Sequence, residues 1–233
     1  MSSLTPVRAF YKRRLLLEGD IMMEVKRSSD IAFTPSVKAM QSRRGSRVAY
    51  EKMEARGGFQ TKLTPDLIAF LSQVDSVYLA TANAVGQPYV QHRGGPKGFI
   101  SALDETTLGF VDYAGNRQYI TLGNLAENDQ AFLFLMDYAH RRRIKIWGSA
   151  RIVEADPELT SKLMPKDYPA RAEQAILFEV KAWDVNCPRH IPQKLDAGEV
   201  AKVLAKLQSR IQTLQAENDK LRRATSAFDS RLP

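Results

Sequence analysis

Between Ser76 and Trp183 the chain is cut into short runs with the period of strands, and this stretch constrains the fold more than any other. Ser76–Ala82 (SVYLATA) is rich in β-formers, and residues 83–88 (NAVGQP) read as a hairpin turn. Residues 89–93, 99–103 and 107–111 follow as strands, with a turn at Asp104-Glu105. Residues 131–136 (AFLFLM) form a continuous apolar run, predicted as a buried strand. Residues 144–153 (IKIWGSARIV) alternate, with Gly148 placed for a bulge, and residues 176–183 give the last clear strand. One helix, predicted over 117–127, interrupts the series before residue 154. About seven short, closely spaced strands predict a mainly β, α+β chain built on an antiparallel barrel or sandwich. They do not suit a doubly wound α/β sheet.

The flanks differ from this body. Residues 1–32 predict a basic, disordered N-terminal tail; Lys12-Arg13-Arg14 is followed by only three leucines and then acids, which makes no secretory core. The main domain is expected over 33–195. It begins with short helical pieces on the surface (33–62), then a helix capped by Thr64 with Pro65 in its first turn. Residues 157–164 predict another short helix. Residues 196–224 are a separate amphipathic segment, with a flexible tail at 225–233. In that segment Leu204, Ile211 and Asn218 fall at heptad position a, and Val200, Leu207, Leu214 and Leu221 at d. Glu217 at g and Arg222 at the following e can bridge between parallel helices. The pattern suits either a coiled coil or a helix packed on its own domain.

The net charge of +8 invites a nucleic-acid reading, but its location argues against one. Residues 1–62 hold 13 Lys+Arg and 6 Asp+Glu, a net +7, leaving +1 for the other 171. No run approaches the roughly 18 apolar residues of a membrane span. A single Cys makes no internal disulfide and suits the cytoplasm. Three histidines (His92, His140, His190) and Cys187 give no zinc spacing. There is no P-loop, no nucleophile elbow and no dinucleotide-binding fingerprint.

Two stretches remain that carry chemistry. In residues 92–99 (HRGGPKGF) the cations Arg93 and Lys97 alternate with Gly94 and Gly95, small enough for a ligand to approach the backbone. Residues 111–119 (VDYAGNRQY) run from a strand end through a turn into the predicted helix. There Asn116 is placed as N-cap and Arg117 beside it makes an anion site.

These pieces, in order with FLFLMDYAHRRRIKIWG (132–148) and AWDVNCPRHI (182–191), resemble the pyridoxamine 5′-phosphate oxidase-related flavoproteins. The likeness runs over roughly residues 33–215. It implies a six-stranded antiparallel split β-barrel of Greek-key topology with flanking helices, a homodimer, and FMN at the interface. It places Arg93 at the flavin phosphate region with Lys97 as a further basic partner, and Val111-Asp112 as the strand-end pair that touches the flavin. Asn116, Arg117 and Gln118 match the serine, arginine and lysine at the phosphate-binding helix start. Arg143 matches a flavin-contacting glutamine, and Trp183 a late tryptophan. The oxidases end in a segment that completes the substrate pocket, whereas this chain runs into a heptad helix. That departs from vitamin B6 oxidation and leaves Asn186, Arg189 and His190 as candidates to line a pocket for another small molecule.

The expectation is a cytoplasmic, homodimeric FMN-binding oxidoreductase, with no metal, membrane or nucleic-acid partner. The alternatives are a deazaflavin- or haem-binding relative, for which only His92 and His190 lie near the cleft, or a non-catalytic flavin sensor or interaction module.

Overall fold

The computed structural model describes residues 27–185 and 188–229, backbone only from 224 onward. Most of the expected tail (1–26), Asn186, Cys187 and residues 230–233 lie outside the described residues. One antiparallel sheet dominates: β1 (Ser76–Ala82), β2 (Pro88–Gly94), β3 (Ser101–Ala102), β4 (Thr107–Tyr113), β5 (Gln130–Asp137), β6 (Arg142–Val153) and β7 (Ala172–Val185). Its order is β2-β1-β5-β6-β7-β4-β3, with no pairing recorded between the β2 and β3 edges. The mainly β architecture with flanking helices is the expected one. Among the described residues the sheet has seven strands rather than six, β3 being a separate two-residue piece.

β7 begins four residues before its predicted start. Residues 172–179 pair with β4 while residues 175–185 pair with β6, so ladder formation on both sides overrides the poor β-propensity of Ala172-Glu173-Gln174. The bulge at Gly148 is present as a register shift between Trp147 and Gly148. A Cβ at Gly148 would lie 2.0 Å from the Glu179 carbonyl oxygen, so only glycine lets the two strands approach there.

Alternation builds the core. Val77 and Leu79 of β1, Leu133 and Leu135 of β5, Ile144 and Ile146 of β6, and Ile176 and Phe178 of β7 are buried together. Helix α3 (Pro65–Leu71) seals one end with Leu67, Phe70 and Leu71. Its start is as predicted: Thr64 Oγ1 accepts from Leu67 N at 3.3 Å, and Pro65 occupies the first turn. Helix α5 (Pro157–Leu163), capped by Asp156, closes a smaller cluster around Val111, Leu163 and Ala175.

β5 corrects the expectation of a strand buried on both faces. Its burial alternates, and Phe132, Phe134 and Met136 on the outer face are only half covered. Phe59 stacks on Trp147 at 5.2 Å and 4°, and Trp147 lies 5.2 Å from Phe132, so the N-terminal segment covers one end of this face. Tyr78 and Val90 remain exposed beyond it.

That N-terminal segment contains α1 (Pro35–Arg43) and α2 (Arg47–Ala55). Residues 28–31, expected within the tail, form a 3-10 turn with Ser29 fully buried. Polar contacts hold the segment together where Val37, Met40 and Val48 do not, since those three are exposed. The buried Glu54 carboxylate is bridged by Arg47 and by Arg27 Nη1 at 2.8 Å, and Lys38 Nζ reaches Asp30 at 2.6 Å. Burial pushes the Glu54 carboxyl up, but the hydrogen bonds from Arg47 and Arg27 outweigh it and hold it below its usual range.

At the other end α6 (Ala197–Asp229) starts under an Asp196 cap, whose Oδ1 accepts from Glu199 N at 3.0 Å. Among the described residues no helix is long and apolar enough to cross a membrane.

Candidate functional site

Seven of the predicted site residues fall into two separate places. Five of them, Arg93, Asp112, Asn116, Arg117 and Gln118, line one small polar recess of about 40 Å³ between the ends of β2 and β4 and the start of helix α4 (Ile120–Glu127). Strand alternation puts Gln91 and Arg93 on the same side of β2, both facing the recess. Arg93 pairs with Asp112, and the pair is nearly buried, the side chains 12% and 6% exposed. Gln174 Nε2 donates to the other Asp112 oxygen at 3.0 Å. Arg93 Nε is buried and without a partner. Thr121 Oγ1 donates to Gln91 Oε1 at 2.7 Å.

The loop from 114 to 119 differs from the sequence expectation. The helix starts at Ile120 rather than Arg117, because Arg117 (φ 58°) and Tyr119 (φ 52°) adopt left-handed conformations that break the run. Asn116 is therefore not the N-cap. Its Oδ1 accepts from Gln118 N at 3.3 Å within the turn, while Tyr119 occupies the cap position and makes no side-chain cap. The first amides of α4 are left without a side-chain acceptor, beside the recess. Arg117 is mostly exposed, its Nε 3.9 Å from Glu173 Oε1. Tyr113 also lines the recess, and its hydroxyl is buried without a partner. Burial, with Tyr168 alongside, pushes that phenol above its usual range.

Lys97 and Trp183 lie elsewhere, in an open cleft of about 990 Å³ between α3 and the turn joining β5 to β6. Phe70, Asp137, His140 and Arg142 share this cleft. Arg142 sits 4.9 Å above the Phe70 ring, and His140 Nδ1 is 2.8 Å from Asp137 Oδ2. The indole Nε1 of Trp183 already donates to Lys62 O at 2.8 Å, so the ring packs in place and has no free N–H.

The remaining candidates stand apart from both. Val111 is buried against Leu163 and Ala175. Gly95 is small for an internal reason: a Cβ there would lie 2.8 Å from the Phe99 side chain. Gly94 likewise sits against His92 and the Asp75 carbonyl. Arg143 is half-buried on β6, its Nε without a partner. Arg189 and His190 are exposed and line neither the recess nor the cleft, and Asn186 lies outside the described residues.

Sequence reasoning missed Gln91, Thr121, Glu173 and Gln174. The two-residue period of β2 could have paired Gln91 with Arg93. Gln174 has no local signal, since it reaches Asp112 from a strand 62 residues away.

The arrangement suits an anion. Arg93 Nε is an orphaned donor, the α4 amides lack a side-chain cap, and neutral donors and acceptors surround them. The recess is not strongly positive, because each arginine already faces a carboxylate. Hydrogen-bond donors rather than net charge would select the ligand.

The family pattern described as pyridoxamine 5′-phosphate oxidase matches residues 63–189 of this chain. No curated protein matches it. Among solved structures it is similar to a putative pyridoxamine 5′-phosphate oxidase from Lactobacillus delbrueckii (22% identity, 54% of this chain and 95% of that one, TM-score 0.42). It is similar also to HupZ of group A Streptococcus (14%, 57% and 99%, TM-score 0.43). A third is an FMN-binding protein from Syntrophomonas wolfei (12%, 64% and 97%, TM-score 0.40). At such identities the activities of these proteins do not transfer.

Proposed function

Since the chain belongs to the pyridoxamine 5′-phosphate oxidase family, we propose that it is an FMN-binding oxidoreductase acting on a small molecule in the cytoplasm. The observation that carries this reading is the recess, where buried Arg93 presents an unpartnered Nε beside the uncapped start of α4. Those groups fit a phosphate monoester. Arg93 Nε and the first α4 amides would hold its oxygens, with Asn116, Gln118 and the exposed Arg117 closing over them. Asp112, fixed by Gln174, holds Arg93 at the wall of the recess. Bound FMN would supply electron transfer through its ring, while the protein supplies orientation and electrostatics.

The reading includes a homodimer. The outer sheet face carries Tyr78, Phe134 and Met136 with Arg143 among them, and among the described residues the N-terminal segment covers one end of it. A second copy is the proposed cover, and Arg143 Nε then has a ligand edge or a partner to donate to. The substrate is proposed to be something other than pyridoxamine 5′-phosphate, because the chain continues into α6 where the oxidases complete their substrate pocket.

Absorption of the freshly purified protein and its titration with FMN test the reading. The expected result is the two-banded absorption of an oxidised flavin and one FMN bound per chain. A Soret band would replace FMN with haem, preference for a deazaflavin would replace it with that cofactor, and binding of none would overturn it.

A further inference from the structure

We infer that α6 pairs in parallel and in register with α6 of a second copy of this chain. The helix is 33 residues long, about 50 Å at the usual rise. Its base is fixed to the sheet. Gln193 Nε2 donates to Ala139 O at 2.9 Å, Arg141 Nη2 donates to Gln193 Oε1 at 3.2 Å, and Ile191 is buried. Lys194 sits 4.3 Å above the Tyr138 ring. Past that anchor the helix does not lie down on its own domain: Val200, Leu204, Leu207, Ile211 and Leu214 are 38% to 54% exposed. A single helix in water gains little from propensity alone and owes its stability to a covered apolar face. The stripe on α6 therefore calls for a partner.

The chemistry of the stripe names the partner. Apolar residues repeat at alternating steps of four and three, the 3.5-residue period that only another helix of the same period can follow. Asn218 holds an a position. In a parallel, in-register pair the two Asn218 side chains meet across the seam and hydrogen-bond each other. In an antiparallel pair each would be pressed against an aliphatic side chain and lose its partners. The flanking positions agree. Glu217 at g faces Arg222 at e of the other helix, Arg210 faces Gln215, and Val203 faces Gln208, so no like charges meet. The pairing uses none of the recess residues and stands whether or not FMN binds.

The test is cysteine cross-linking in the full chain, with the native thiol removed by Cys187→Ser. Leu214→Cys places a thiol at d, where parallel in-register helices bring the two copies within disulfide reach; Ser209→Cys places one at the outward f position. Under mild oxidation at low protein concentration most of the Leu214→Cys chain should become a covalent dimer, and the Ser209→Cys chain only a trace. Leu207→Cys, one heptad earlier, should repeat the result and guards against local damage at Leu214. Equal yields at the d and f positions, or no cross-link at either d position in a folded chain, would overturn the proposal. A chain that stays dimeric by sedimentation while neither d cysteine cross-links pairs through the sheet face alone. In that case too the proposal fails.

Discussion

Two buried arginine–carboxylate pairs, one in the N-terminal segment and one in the recess, are built from the same chemistry and left in opposite states. In the first, one carboxylate is outnumbered: Glu54 is bridged by both Arg47 and Arg27, and Arg47 also donates to Gln41 at 2.7 Å. In the second the arginine has the surplus: Arg93 spends one arm on Asp112 and keeps a buried Nε with no partner. An ion pair whose donors are spoken for ties two pieces of chain together. One with an idle buried donor on a residue lining a recess has bonding capacity left over for something else. Each pair keeps one buried atom without a partner, Glu54 Oε1 in the clasp and Arg93 Nε at the recess. An idle donor on a residue that lines a recess, rather than a charged pair or a spare acceptor, is what marks a candidate anion site.

Removing the carboxylate from the clasp should have the largest effect on stability. Glu54→Ala leaves Arg27 without its carboxylate and Arg47 with only the exposed Glu51, 3.1 Å from its Nε. It should cost roughly 2–3 kcal/mol, toward the low end for a buried pair because Arg27 is itself 47% exposed. Denaturant midpoints measure this, and FMN affinity of the folded variant should stay unchanged. The recess should respond the other way round. Arg93→Met should weaken FMN binding by about tenfold or more, the worth of hydrogen bonds to a charged group. It also strands Asp112, so some stability goes with it. Pairing it with Asp112→Asn removes the stranded charge and keeps an acceptor for Gln174. The double variant should recover stability without recovering affinity. Recovery of both would make the Arg93 pair a clasp like the first.

How much of this was legible in the sequence follows from the range of each interaction. The strand series, the Thr64 cap and the Gly148 bulge are local, set by alternation, cap chemistry and the absence of a Cβ. Arg93, Asp112 and Arg117 were placed together because each sits beside a strand end or helix start that the pattern announces. The start of α4 is not announced, since left-handed backbone at Arg117 and Tyr119 leaves no mark in residue type. Gln174 was invisible because it arrives through β7 pairing. The half-covered outer face of β5 was hidden by a composition that satisfies either face equally, so AFLFLM read as a strand buried on both sides. Lys97 and Trp183 join the cofactor site only in what the family resemblance implies, and the fold puts them in the other cleft.

The smallest expected effect comes from acid acting on the clasp. The folded Glu54 carboxyl is held below its ordinary value, so its ion pairs contribute fully above the unfolded pKa, and the contribution fades as the pH falls through the folded one. Asp30, lowered chiefly by its hydrogen bond from Lys38, acts in the same direction. The loss should be smaller than that of Glu54→Ala, because a protonated carboxyl keeps an oxygen that can still accept from Arg47 or Arg27. Thermal midpoints from neutral pH down into the acidic range should therefore fall for the natural chain. They should fall less for Glu54→Gln, which has no charge to lose at that position. If the two chains decline in parallel, the acid sensitivity comes from elsewhere in the fold and the clasp is not outnumbered in the way its geometry implies.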